Sequence, residues 1–303
     1  MYGSMFYKYE ARGRLRGCYA VAVICALIFM IPQYLMSRIM TMIDITYPGS
    51  MLISEAGAMV VQVLVVNIFE IGFIRFLLRL RPGENGGIRS YDYNLILSGY
   101  TENFGVSLGA TLMAAIKRFL LLLVALVPTV AAILYVSFCV PVDVLTQLTT
   151  EIYDTAMSYS PRAVADLAAL IDMNFPHLSL FLMLYITTTI GAISPFVYKT
   201  YEYKMIPFIL ADKTDVDYKT VKKRTRDLME GFRMRFFLIQ LSFIGYMAMV
   251  AVILTRTAAI FVYCAATALL LPYQYMTYSE FYRQRNEVIE HNIEVYGETE
   301  GVV

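Results

Sequence analysis

Tryptophan is absent from this 303-residue chain, histidine occurs only twice, and cysteine occurs four times. The two histidines, His177 and His291, lie far apart in the sequence, and no CxxC pair is present. Each cysteine falls in or beside an apolar stretch: Cys18, Cys25, Cys139 and Cys264. Cysteines in such positions are usually buried and unreactive. The sequence therefore predicts neither a disulfide framework nor a zinc site, and we expect no metal or other cofactor.

Catalytic signatures are missing as well. The sequence contains no HExxH, GxSxG, P-loop or GxGxxG motif. The carboxylates of Asp212, Asp215 and Asp217 stand close together and leave a two-carboxylate enzyme as an alternative. They also suit the start of a helix, where negative charge is favourable. We expect a protein without enzymatic activity.

Charge is scarce, since only 16% of the residues are charged and 58% are hydrophobic. About a quarter of a soluble domain is charged. The apolar residues come in blocks near the 20-residue length that a helix needs to cross about 30 Å of hydrocarbon. We predict an all-α, polytopic membrane protein with six transmembrane helices in a single membrane domain, 1–303. The six blocks are 17–37, 57–79, 117–138, 178–198, 234–255 and 257–277.

Several details refine these blocks. The first is too long for a signal peptide and lacks an A-x-A cleavage site, so we expect a retained helix. Residues 255–257 are expected to form a tight turn between the last two blocks. Four prolines are expected to kink their helices rather than end them: Pro32, Pro128, Pro195 and Pro272.

The basic residues set the predicted orientation. With both termini cytoplasmic, 22 of the 25 Lys and Arg residues fall on the inner side, and only Arg38, Arg162 and Arg256 fall outside. This is the positive-inside pattern. Arg75 is placed at the inner interface, with its side chain extending to the headgroups. The acidic outer segment 139–177 is expected to form a small helical cap, with a cation-attracting vestibule as the alternative.

A basic segment, 213–233, separates the fourth and fifth blocks. Thr214 and Asp217 approximate a capping box at its start. Helical spacing then places an apolar stripe on one face: Val221, Thr225, Leu228 and Phe232. Basic residues occupy the remaining faces: Lys219, Lys222, Lys223, Arg224 and Arg226. We predict a cytoplasmic amphipathic helix on the anionic inner leaflet, and no nucleic-acid binding. The preceding apolar patch, 205–211, is too short to cross and is expected at the same interface.

Glu70 is the strongest candidate for a functional residue, because an ionisable group inside a membrane span indicates function. Asn67 lies three residues earlier on the same helical face. We predict an intramembrane polar site for a proton, an ion or a polar substrate. Its members are Glu70, Asn67, Gln240 and Thr188. Two alternatives remain: Glu70 reaches water or Arg75, and the other polar groups join neighbouring helices. Tyrosines near the end of the sixth block are read as an aromatic belt: Tyr273, Tyr275, Tyr278 and Tyr282.

Five stretches resemble the DUF975 family of bacterial integral membrane proteins. They are "GFIRFLLRLRPGE" (72–84), "SGYTENFG" (98–105), "YEYKMIPFILAD" (201–212), "FFLIQLSFIGY" (236–246) and "PYQYMTYSEFY" (272–282). The resemblance implies a location in the bacterial plasma membrane and brings no established activity. Segment 139–177 is enlarged relative to the usual family pattern.

These observations lead to two hypotheses. The first is a non-enzymatic scaffold or accessory protein that binds membrane lipids, a membrane-protein partner or further copies of itself. The alternative is a transporter of a small solute, an ion or a lipid, with Glu70 near its pathway.

Overall fold

The computed structural model describes residues 3–46, 60–80, 93–102, 104–139, 178–213, 216–257 and 260–296, and single residues at 57, 146, 149, 150, 152, 153 and 157. All regular elements in these ranges are helical. The all-α prediction is thus confirmed. Most of the predicted outer segment 139–177, with His177, lies outside the described residues.

The helices follow one another in a simple order. They are α1 (Ser4–Leu15), α2 (Tyr19–Thr46), a π-helical segment (Gln62–Val66), α3 (Asn67–Arg79), a 3-10 turn (Tyr93–Leu97), α4 (Ser98–Thr101), α5 (Phe104–Cys139), α6 (Leu178–Tyr203), α7 (Ile206–Asp212), α8 (Tyr218–Met229), α9 (Arg233–Leu241), α10 (Ile244–Thr257) and α11 (Ile260–Tyr296).

Three stretches of the described chain are long and apolar enough to cross a membrane: Tyr19–Ile43, Phe104–Tyr135 and Arg233–Val252. Their apolar side chains are largely exposed, as expected for surfaces that face lipid. The four prolines all lie inside helices, so the helices continue through them as predicted.

Two boundaries differ from the prediction. The fifth block is interrupted at Ser242 and Phe243, where α9 gives way to α10. Residues 255–257 are helical, so the predicted turn at these positions is wrong. Threonine and arginine carry neither the glycine nor the proline penalty, so these three residues can be accommodated in a helix.

The chain divides into two compact units, residues 1–116 with 200–303, and residues 117–199. In the first unit α11 packs against α1, α2, α3, α8 and α10, and α7 packs against α3. Two apolar clusters fill this unit, one centred on α7 and the other on α2 and α3. In the second unit Tyr135 stacks on Phe181 at 5.1 Å, and the Thr129 and Tyr185 hydroxyls lie 3.3 Å apart.

Two glycines let α3 cross the 3-10 turn and α4 at backbone contact. A Cβ atom on Gly72 would lie 1.9 Å from the Ile96 carbonyl oxygen, and one on Gly99 would lie 2.4 Å from that of Ile68. Since no real Cβ contact is that short, both positions require glycine. This crossing joins the "GFIRF" and "SGYTENFG" stretches of the sequence.

Candidate functional site

Arg75 is buried at the centre of the first unit, with a side chain only 1% exposed. Its Nε donates to the Ala211 carbonyl oxygen at 3.0 Å and one terminal nitrogen donates to that of Leu210 at 2.8 Å. The other terminal nitrogen pairs with Glu102 at 2.7 Å. The prediction that this side chain extends to the headgroups is wrong, because two carbonyls at the end of α7 and the Glu102 carboxylate offer the buried guanidinium three acceptors.

The apolar patch at 205–211 forms most of α7 and is also buried. Met205, Ile209 and Ala211 are 0%, 0% and 3% exposed. These side chains pack within the protein and do not face lipid. A helix this short cannot satisfy its own last carbonyls, and Arg75 supplies donors to two of them.

Glu70 lies in α3 and accepts a hydrogen bond from the Tyr275 hydroxyl at 2.9 Å. Both side chains are partly buried. Tyr275, read from sequence as part of an aromatic belt, is thus a direct partner of the candidate carboxylate. The spacing of Tyr275 from the other tyrosines did not predict its hydrogen bond to Glu70.

The residues before Glu70 form an irregular helix. Asn67 accepts from the Gln62 side chain at 3.4 Å, and the Tyr100 hydroxyl donates to the Val65 carbonyl at 3.0 Å. Tyr100 thereby supplies a hydrogen-bond donor to a carbonyl of the π-helical segment, where the regular α-helical hydrogen bonds are interrupted.

The other two predicted members of the polar site, Gln240 and Thr188, have hydrogen-bond partners of their own among the described residues. Gln240 accepts from Lys204 at 3.1 Å. Thr188 is exposed, belongs to the second unit, and donates to the Leu184 carbonyl of its own helix at 2.7 Å. That bond is the usual one for a threonine inside a helix.

The basic helix α8 shows the predicted stripe, but the stripe packs inside the protein. Val221, Thr225 and Leu228 are each at most 1% exposed. This face of α8 therefore packs on α11 instead of inserting into lipid, because α11 offers a protein surface for the same side chains. The helix begins later than predicted, with Asp217 as its N-cap rather than Thr214, which lies outside the described residues.

The predicted basic residues of α8 fall into two groups. Four are exposed on the side away from α11: Lys219, Lys222, Lys223 and Arg226. Arg224 instead pairs with Glu290 at 2.6 Å, and Lys213 pairs with the same carboxylate at 2.9 Å. The hydrogen bond from Lys213 is the main reason that the pKa of Glu290 lies below its usual value.

The aspartate cluster is used structurally where it is described. Asp212 accepts from the Tyr282 hydroxyl at 2.8 Å, and burial of that phenol raises its pKa far above the usual range. No group of three potential metal ligands occurs among the described residues.

An open cavity of about 370 Å³ lies where α1 meets α2. Its lining consists of Arg12, Leu15, Arg16, Gly17, Tyr19 and Tyr273. Gly17 has a φ of +82°, a conformation that glycine adopts without strain, and it redirects the chain between the two helices. Sequence reasoning assigned these arginines only to orientation. Their closeness in the sequence, with Arg12 in the last turn of α1 and Arg16 at its C-cap, was the available signal.

Comparison with known proteins identifies a matching family model. The model of a family described as a protein of unknown function, DUF975, matches residues 1–288. No curated protein matches the chain, and no solved structure matches it.

Proposed function

Since this chain belongs to the DUF975 family, whose description names no function, we propose from its geometry that it is a non-enzymatic scaffold or accessory protein of the bacterial plasma membrane. In this proposal the chain crosses the membrane six times and both termini are cytoplasmic. It binds membrane lipids and a membrane-protein partner or further copies of itself.

The observation that carries the proposal is the pairing of charged groups on the predicted inner side. Glu280 lies 2.6 Å from Arg14 and 2.9 Å from Arg283, and Glu202 lies 3.3 Å from Arg233. Such ion pairs fix helices in place, whereas an acid or base catalyst must exchange protons with a substrate. This arrangement supports a structural platform.

The exposed basic side of α8 is the surface that this platform offers. Lys219, Lys222, Lys223 and Arg226 project from a helix whose opposite face is held on α11. A fixed row of positive charge attracts acidic surfaces, whether anionic headgroups or an acidic partner.

Cysteine labelling in intact cells tests the orientation. In a background without the native cysteines, Lys222→Cys is expected to be shielded from a membrane-impermeant thiol reagent, and Tyr153→Cys is expected to react. Tyr153 is the matched outer position, exposed at 61%. Labelling of Lys222→Cys from outside would overturn the orientation.

Photo-crosslinking tests the scaffold role. A photoreactive residue at position 222 is expected to give a discrete protein adduct that disappears when Lys219, Lys223 and Arg226 are changed to glutamine. A photoreactive residue at Met183, exposed at 68% on α6, is the control and should give no such adduct. Lack of a charge-dependent adduct at 222 would contradict the role.

The transporter with Glu70 near its pathway is the second candidate. The π-helical segment beside Glu70 supports it, since such segments often mark functional sites. If Glu70→Gln abolished uptake or efflux of a solute while the adduct at position 222 was retained, the transporter would replace the scaffold.

A further inference from the structure

Helix α1 carries Lys8 and Arg12 four residues apart on one face, and Arg16 follows directly as its C-cap residue. Residues at this spacing are neighbours on a helix, so their charges repel one another. The pKa of Lys8 is lowered first by burial and second by the charge of Arg12. The face is therefore a place where positive charge accumulates.

Among the described residues, the partners of Lys8 and Arg12 are neutral groups. Lys8 donates to the Ser242 carbonyl at 2.9 Å and lies 4.3 Å from the centre of the Phe243 ring. Arg12 donates to the Tyr273 hydroxyl at 3.0 Å and lies 5.4 Å from the centre of the same ring. These contacts orient the cations without neutralising them.

Arg14, on another face of the same helix, shows the contrast. It pairs with Glu280 at 2.6 Å, so its charge is balanced within the chain. The cavity beside Arg12 and Arg16 has six lining residues, and none of the six is a carboxylate. The positive charge of this lining is therefore complementary to an anion from outside the chain.

Two guanidinium groups favour phosphate among the common anions, because their planar sets of donors match its oxygens. The volume of about 370 Å³ is at the lower end of the range for small-molecule sites, which suits a headgroup.

The surroundings favour a lipid over a soluble phosphate. Tyr19, at the start of α2, donates its hydroxyl to the Leu269 carbonyl on α11. Leu269 is 51% exposed, and Ile24 and Leu27 on α2 are 50% and 44% exposed. Since α2 is long and apolar enough to span a membrane, acyl chains can lie along these residues while the headgroup stays at the arginines.

We propose that this cavity binds the phosphodiester headgroup of an anionic phospholipid of the inner leaflet, held by Arg12 and Arg16 between the rings of Tyr19 and Tyr273. The inference rests on the proposed function, since it places α1 and the start of α2 at the cytoplasmic surface. It adds a defined lipid site to that function, distinct from the exposed residues of α8.

Native mass spectrometry of the full chain released from detergent tests the site. The probes are phosphatidylglycerol, phosphatidylcholine with the same acyl chains, and inorganic phosphate. We expect one phosphatidylglycerol to be retained by the wild type and its apparent Kd to rise about tenfold in Arg16→Gln, the effect of losing one charged hydrogen bond. Arg16→Lys keeps the charge and loses the planar set of donors. Its apparent Kd is expected to lie between those of the wild type and Arg16→Gln.

Arg79→Gln is the matched control, because it removes an exposed arginine at the end of α3 and leaves both the cavity and the basic surface of α8 intact. Arg16 is itself exposed, so its replacement should leave thermal stability unchanged. Equal retention by wild type and Arg16→Gln would overturn the proposal. So would equal retention of phosphatidylcholine, or displacement of the lipid by millimolar inorganic phosphate.

These experiments separate a failure of the lipid site from a failure of the proposed orientation. If Arg16→Gln binds phosphatidylglycerol as the wild type does while Lys222→Cys stays shielded in cells, the lipid site is wrong and the orientation stands. If Lys222→Cys is labelled from outside, the orientation fails whatever the lipid result.

Discussion

The Arg75 side chain donates to the carbonyl oxygen of Ala211, a residue 136 positions later in the chain, over 3.0 Å. This bond joins α3 to the end of α7, and the pairing with Glu102 ties α4 to the same point. One buried guanidinium therefore connects three elements that the sequence holds far apart.

Arg75→Gln is expected to destabilise the protein by about 3 kcal/mol, because it leaves buried carbonyl groups without donors. Arg75→Lys should lie between this variant and the wild type, since an ammonium group cannot reproduce the fork. Thermal unfolding in detergent measures both. The control is Arg79→Gln, an exposed arginine at the end of the same helix, which should change the unfolding free energy by no more than about 0.5 kcal/mol.

Gly72→Ala is expected to lower the yield of folded protein sharply. The new methyl group would meet the Ile96 carbonyl oxygen at 1.9 Å, so α3 and the 3-10 turn would have to separate. Gly109→Ala in α5 is the comparison, because a Cβ there meets nothing within 4 Å. Monodisperse elution of both variants on size exclusion would contradict the close crossing.

A double-mutant cycle measures the bond between Glu70 and Tyr275. Glu70→Gln and Tyr275→Phe are each expected to reduce the unfolding free energy, and their combination should cost less than the two effects added together. The expected coupling is about 1 kcal/mol, as for other hydrogen-bonded pairs in membrane helices. Strict additivity would show that the two side chains do not act together.

Acid is expected to weaken the attachment of α8 to α11 through Glu290. The folded pKa of Glu290 lies below its ordinary value of 4.5, chiefly through the Lys213 hydrogen bond. Its contribution to stability is therefore complete above the pKa of the unfolded chain and is lost as the pH falls through the folded pKa. Stability curves below about pH 4.5 should be flatter for Glu290→Gln than for the wild type.

The size of this effect is limited, because the Glu290 side chain is 43% exposed and solvent screens the pair. Glu294→Gln, one turn further along α11 and exposed, provides the control and should follow the wild-type curve. An identical pH dependence in all three proteins would contradict the assigned role of Glu290.

The helical class could be predicted from the sequence, because long apolar blocks allow little other than helices in a membrane. The family could be identified from the five stretches that resemble it. The stripe of α8 was also correct, since spacing alone decides which residues share a helical face. Pro32, Pro128, Pro195 and Pro272 were rightly placed inside helices.

Partners, in contrast, depend on tertiary packing. Spacing predicted that Val221 and Leu228 would be buried and gave no indication that α11 rather than lipid would cover them. Arg75 followed the positive-inside rule in the sequence, yet its partners come from α4 and α7. A single charged residue among the apolar neighbours of "IGFIRFLL" was the available signal that it needs internal partners.

The packing of α11 against α1, α2 and α3 has a consequence for biosynthesis. Tyr19 and the carbonyl that accepts its hydrogen bond are separated by 250 residues, so the ribosome releases α2 long before its partner exists. The apolar faces of α1 and α2 remain unpaired until α11 is made, and during this time insertion machinery or chaperones can cover them. Premature termination before α11 would leave these faces open, and such a product should be degraded by membrane proteases rather than accumulate.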